Sequence, residues 1–247
     1  MKELKDCFQL SKGEIVSVIG SGGKSSLINY LANSYSHEKV LISTTTKMLM
    51  AKEGECHQLW LNPTNRWRGI DSGIVITGDE VIWNGMKKLQ MPKSPKFTES
   101  FRQFDKVFLE SDGSRGLPLK GWREDEPVIL PETSMTIGVV PITAIGMPAT
   151  EEFIHRLPLW LELIEETKEE CFWVSEKDMA KTIANEKGLW YKAKGKGLLF
   201  INQVEDKEQL EGAKRIVELI PKDCKEKLSR IIVGSVEKEV GEIMVGL

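Results

Sequence analysis

A chain of 247 residues, 40% hydrophobic and 29% charged, can bury a full core as one large domain or two small ones. Its formal charge of -3 provides no broad basic surface, which argues against nucleic acid or anionic membrane as the main partner. The charged start "MKELKDCFQLSKGE" lacks the apolar core of a signal peptide, and no segment approaches the roughly 18 uncharged apolar residues of a membrane span, so a cytoplasmic protein is expected.

In chain order, "EIVSVIG" is a β-branched run leading into glycines, and "KSSLINYLANSY" carries Leu27, Ile28 and Leu31 at helical spacing. That is strand, loop, helix. "KVLIST" reads as a buried strand, "GIVITG" and "EVIWNG" as two short strands around the turn "TGDE", "QMPKSPKF" as a proline-marked connection, and "DKVFLES" as an apolar strand ending in acidic residues. Beyond "REDEPVILPE" come the strand "MTIGVV", a helix with Phe153, Leu157 and Trp160 on its apolar side, the strand "CFWVS", and the helix "DMAKTIANEKG" closed by Gly188. The strand "GLLFIN", the amphipathic helix "KEQLEGAKRIVELI" stopped by Pro221, and the strand "SRIIVGSV" follow. This alternation predicts an α/β fold: a mainly parallel sheet with helices on both faces, as one domain over 1–247, with a sub-boundary near Glu132 as the alternative.

In such a sheet ligands sit beyond the carboxyl ends of the strands. The first candidate there is "GSGGKSS". A standard phosphate loop, G-x-x-x-x-G-K-[ST], needs a glycine where this chain has Val18, so the pattern that fits is the shorter Gly20-x-x-Gly23-Lys24-Ser25. Backbone amides of Gly20, Ser21, Gly22, Gly23 and Ser26 can approach phosphate, Lys24 adds a charge, and Ser25 can ligate Mg²⁺. The competing reading is a strand-to-helix turn whose Ser and Gly merely cap the helix.

The strand "LISTTT" offers Thr45 and Thr46 to a phosphate or a magnesium shell, or simply uses them as strand-end residues. In "VFLESDGSRGLPLK", Glu110 and Asp112 lie on one side of the extended chain, placed to hold Mg²⁺ or orient water, with Arg115 and Lys120 as clamps for phosphate or an acidic substrate. Asn202 and Glu205 in "FINQVED" stand where guanine-reading residues would, against a plain helix cap by Asn202 or Asp206. His155, on an expected helix, reads either as a site residue or as a structural histidine. Four scattered cysteines, Cys7, Cys56, Cys171 and Cys224, have no C-x-x-C pair and read as reduced thiols; Cys56-His57 is too little for a zinc site.

Together "VIGSGGKSSL", "ISTTTKM", "ESDGSRGLPLKGWREDEPVI", "IGVVPITAIG", "FIHR" and "FINQVED" resemble the accessory proteins of selenium-dependent molybdenum hydroxylases, the YqeC-type family. The resemblance runs from Gly13 to about Val233. The resemblance implies a P-loop protein; taken with the residues above, whose short loop is similar to that of the Mur ligases, a P-loop NTPase-like fold with a Mg²⁺-dependent site for ATP or GTP is expected. It also implies a partner that is a molybdenum hydroxylase or a cofactor precursor. Lys24, Glu110, Asp112, Arg115 and Lys120 would be the catalytic set, with Ser25, Asp112 and Glu110 on the metal. Where the family loop often has G-K-T-T, this chain has Gly23-Lys24-Ser25-Ser26, and Asp125 stands where a histidine commonly precedes E-P-V. Two other functions stay open: a ligase or kinase for a small anionic substrate, and a non-hydrolysing partner protein switched by nucleotide.

Overall fold

The computed structural model describes residues 1–246 apart from 53, 64–66, 95 and 168–171. In chain order the elements are β1 (Lys2–Glu3), α1 (Leu4–Phe8), β2 (Glu14–Gly20), α2 (Lys24–Ser34), β3 (Lys39–Thr44), β4 (Lys47–Leu49), β5 (Gln58–Leu61), β6 (Gly73–Trp83) and β7 (Met86–Gln90). Then follow β8 (Lys106–Glu110), β9 (Leu119–Lys120), β10 (Met135–Pro141), β11 (Ile154–His155), α3 (Leu157–Ile164), α4 (Glu176–Ala184), β12 (Lys196–Asn202), α5 (Lys207–Leu219), α6 (Lys222–Glu226), β13 (Leu228–Ser235) and β14 (Val240–Gly246).

One large sheet runs in the order β1-β14-β13-β12-β10-β2-β8-β3-β6-β7-β4, with β5 also paired to β6. From β13 to β6 every neighbouring pair is parallel; only the two margins are antiparallel. This is the mainly parallel α/β sheet that the alternation of elements predicts. The chain leaves β2 toward β3 on one side and leaves β10 toward β12 on the other. The crevice of an open parallel sheet therefore falls at the carboxyl ends of β2 and β10.

Helices cover both faces. Val16 and Val18 of β2 pack under Leu27, Ile28 and Leu31 of α2, while Ile19 joins the opposite core under α3, α4 and α5. Each of these α2 side chains is essentially fully buried and contributes about 1.5–3 kcal/mol, which fixes the helix against the strand that feeds it.

Several boundaries differ from the sequence reading. "TGDE" is not a turn: β6 is continuous over 11 residues, and the chain reverses at Asn84-Gly85, both at positive φ (50° and 74°), the signature of a tight hairpin. Phe153 and His155 lie outside the helix, which begins at Leu157 because Pro158 occupies its first turn. Of the strand expected at "CFWVS", Cys171 lies outside the described residues, and Trp173 makes only an isolated bridge to Pro148. The helix α4 opens on a Ser175/Asp178 capping box and ends at Ala184, with Asn185 as its C-cap, short of Gly188. No helix among the described residues is long and apolar enough to cross a membrane.

Candidate functional site

Because β2 ends at Gly20 and α2 starts at Lys24, the loop proper is only Ser21, Gly22 and Gly23. Val18, where a longer loop would have its first glycine, is a buried strand residue paired with Glu110 and Ile137. The backbone amides of Gly22, Gly23, Lys24, Ser25 and Ser26 have no hydrogen-bond acceptor among the described residues; the first helical bond runs from the Leu27 N–H to the Gly23 carbonyl at 2.9 Å. Five successive unpaired amides at the positive end of an 11-residue helix are donors suited to an anion.

The loop is braced from two later strands. The Ser21 N–H donates to the Val139 carbonyl at 3.0 Å, and Asn202 Nδ2 donates to the Gly22 carbonyl at 2.9 Å. Asn202 Oδ1 in turn accepts from the Val236 N–H at 3.2 Å. Glu205 accepts from Ser235 Oγ at 3.1 Å, and Asp206 caps α5 by accepting from the Gln209 N–H at 2.8 Å. The Asn202 amide and the Glu205 carboxylate thus have partners within the protein, and Asp206 is the helix cap.

Beneath the loop lies Asp112, with no exposed surface. Both of its oxygens accept from the Gly20 N–H, at 2.9 and 3.1 Å; Oδ2 also accepts from Lys120 Nζ (3.1 Å) and Trp122 Nε1 (2.9 Å), and Oδ1 is 3.3 Å from Lys24 Nζ. Burial alone would raise its pKa, but Lys24, Lys120, the Gly20 amide and the indole outweigh it and hold the carboxyl below its ordinary value. Lys24 Nζ also donates to the Gly20 carbonyl at 2.7 Å, closing the loop on itself. Lys120 is equally buried and donates to the Gly113 carbonyl (2.8 Å) and Glu126 Oε2 (3.2 Å).

Glu110 occupies a different place. It ends β8, directly beside β2, and its Oε2 accepts from Ser25 Oγ at 2.7 Å, so a hydroxyl and a carboxylate meet at the rim of the loop. Ser25 and Ser26 are exposed. The threonines tie strands together: Thr44 Oγ1 donates to the Glu110 carbonyl and Thr45 Oγ1 to the Val128 carbonyl, at 2.8 and 2.7 Å. Thr46 Oγ1 lies 3.4 Å from Thr44 Oγ1.

Three participants escaped the sequence reading: Trp122, Glu126 and Arg156. Arg156 grips Glu126 with a two-pronged contact, Nη1 to Oε2 at 2.5 Å and Nη2 to Oε1 at 2.9 Å. Burial would raise the Glu126 pKa, yet Arg156 and Lys120 hold it below the ordinary value. Glu126 follows the glycine-rich turn in the same block as Asp112, and an acid directly before Pro127 is the signal the sequence carries. Arg115 is exposed at φ 55° and makes no hydrogen bond or ion pair within the described residues.

His155 is on a short strand, paired in register with Lys120. Burial first, then Arg156, Arg115 and Lys120, lower its pKa to about 4, against the opposing pull of Glu126. The ring is neutral at pH 7. An unfolded histidine takes up its proton near 6.5 while the folded His155 does not, so stability falls as the pH drops from 6.5 toward about 4. Urea unfolding should show a loss of about 2 kcal/mol across that window, and His155→Gln should remove most of this slope. An unchanged slope in the variant would place its origin elsewhere.

Fold and site together define an α/β protein with a parallel sheet, whose short glycine loop opens a helix beside an acidic strand. The chain belongs to the YqeC family: the family described as "YqeC protein" matches residues 16–158, from β2 through His155 and Arg156. It is 29% identical over 163 residues to "Uncharacterized protein YqeC" of Escherichia coli (strain K12), a stretch covering 58% of this chain and 57% of that protein. The match thus spans little more than half of that relative's length.

Proposed function

We propose that this chain binds ATP or GTP with Mg²⁺ and serves as an accessory or maturation factor for a selenium-dependent molybdenum hydroxylase or its cofactor. The observation that carries nucleotide binding is the run of five free amides from Gly22 to Ser26. The accessory role rests on the family resemblance. A P-loop NTPase-like arrangement is supported by the order of strands, with the loop-bearing β2 directly beside the acidic β8.

The donor set suits a hard cation. Ser25 and Glu110 would hold Mg²⁺, which supplies charge neutralisation to phosphate oxygens when bound. Among the described residues no group of three His, Cys, Asp or Glu is placed to hold a metal. Lys24 would swing from the Gly20 carbonyl to the β and γ phosphates, Asp112 keeping its charge poised at the loop. Asp112, saturated by donors, acts here as the support of the loop and leaves the metal to Glu110. Arg115 would bind the transferred phosphate or an anionic precursor, with Lys120 holding the carboxylates behind it.

A ligase or kinase acting on a small anionic substrate is the second reading, favoured by the exposed Arg115, which has no ion pair among the described residues. Strict dependence of phosphate release on an added acid would select it.

The test is thermal unfolding with ATP, GTP and neither, with and without Mg²⁺. A ligand at 100 times its Kd adds about 2.7 kcal/mol, a rise of several degrees for a chain of this size. The rise should vanish in Lys24→Ala. No rise with either nucleotide, or a full rise in the variant, overturns the assignment.

A further inference from the structure

On the short strand β11, one imidazole feels the charge of three cations, Arg156, Arg115 and Lys120. His155 is only 9% exposed, and neither ring nitrogen has a hydrogen-bond partner among the described residues. Parallel pairing of β9 with β11 sets it opposite Lys120, and Arg156 follows it in the chain. Arg115 stands in the exposed turn closed by the Leu117 N–H on the Ser114 carbonyl at 3.0 Å, and its charge acts on the imidazole together with those of Arg156 and Lys120.

The carboxylates there are already in use. Asp112 serves Lys24 and Lys120, while Glu126 is shared by Lys120, Arg156 and, at 3.5 Å, Arg123, itself paired with Asp125. Arg115 has no counter-ion among the described residues, and the Arg156 side chain stays 20% exposed after gripping Glu126. A local excess of positive charge next to an N–H donor without an acceptor is the environment that a small oxyanion completes.

We infer that Arg115, His155 and Arg156 form a second anion subsite, separate from the phosphate loop, that takes the phosphate or carboxylate group of a second small-molecule substrate. Lys120 is excluded from direct contact, because it is fully buried and has three acceptors. It helps by raising the potential from behind. The two sites share one wall: Lys24 and Lys120 lie on opposite oxygens of Asp112. The inference rests on the nucleotide reading only in taking the loop as the first substrate's site.

The chain has three histidines, so the imidazole Cε1–H signals can be followed singly by NMR. Inorganic phosphate, methyl phosphate and acetate are titrated separately at pH 6.5 and constant ionic strength. The His155 signal should shift saturably toward its protonated position, because an anion there favours imidazolium over the surrounding Arg115, Lys120 and Arg156. A response to the phosphates alone assigns the site to a phosphoryl group; an equal response to acetate assigns it to a carboxylate. Arg115→Gln should weaken binding at least about tenfold, Arg115→Lys should restore part of it, and Lys24→Ala should leave it within about threefold.

No saturable shift at His155 with any anion, or full binding in Arg115→Gln, overturns the subsite. Loss of the shift in Lys24→Ala overturns it too, by placing the anion in the loop. Nucleotide binding is read independently by thermal unfolding, so either reading can fail alone.

Discussion

Replacing Asp112 by Ala will lower stability by about 3–5 kcal/mol, as read by urea unfolding at pH 7. The carboxylate is surrounded only by donors: the Gly20 amide, Lys24, Lys120 and the Trp122 indole. Its removal leaves two ammonium groups in the interior, one of them with no exposed surface. Asp112→Asn should be nearly as damaging, because its NH₂ group would face further donors. Asp112→Ala combined with Lys120→Met should recover part of the loss, since deleting both charges avoids an uncompensated one. If the single variant costs less than about 1 kcal/mol, the buried network does not hold the loop. The carboxyl's folded pKa lies below its ordinary value of 3.8, so its contribution is fully present above that pH and is lost as the pH falls through the folded value. That acid limb lies below the window of His155, so the two can be separated in one pH series.

The second large effect is at Gly20. Its φ is 98°, and a Cβ there would lie 2.1 Å from the Val139 carbonyl oxygen, the atom that receives the Ser21 amide. Backbone strain of about 1–3 kcal/mol is then joined by a collision with the main chain of β10, which cannot rotate away. At Gly23 (φ 116°) the atom met at 2.4 Å is Asn202 Nδ2, the end of a side chain. At Gly116 (φ 78°) nothing lies within 4 Å. The order of destabilisation should therefore be Gly20→Ala above Gly23→Ala above Gly116→Ala, measured by chemical unfolding. Gly20→Ala should exceed about 3 kcal/mol. Equal losses at all three positions would mean that strain alone, and not contact with β10, governs the loop.

What could be read before the structure was local. The strand-loop-helix of residues 14–34 follows from β-branched alternation switching to helical spacing at Lys24, and "VFLE" declares a buried strand by its apolar run. The hairpin at Asn84-Gly85 was equally legible, since that dipeptide is a strong turn signal, whereas "TGDE" carries turn-forming residues inside a continuous strand. The start of α3 was marked by Pro158. Long-range partnerships were not legible. Nothing in "FINQVED" says that Asn202 holds the Gly22 carbonyl 180 residues away, and nothing near Glu126 points to Arg156. Periodicity reports which face of an element is buried; it carries no information on which distant side chain meets it. The same limit explains why Glu110 and Asp112, equivalent by strand alternation, end in unlike surroundings: one at the rim with Ser25, the other beneath the loop with two lysines.

The placement of β2 at the centre of the sheet has a consequence for how the molecule comes into being. The glycine loop is made among the first two dozen residues, yet its Gly20 amide waits for Asp112, 92 residues on, and its Gly22 carbonyl for Asn202, 180 residues on. During synthesis the nascent loop therefore has sequence without shape. Contacts this distant are closed late, after the entropy of long intervening segments has been overcome, and they slow folding more than they strengthen the product. A fragment ending with the family-matched stretch at residue 158 would contain the glycines and the lysine but not the Asn202 strut. The loop is thus early in the chain, and its bracing is complete only once β12 has docked on the sheet.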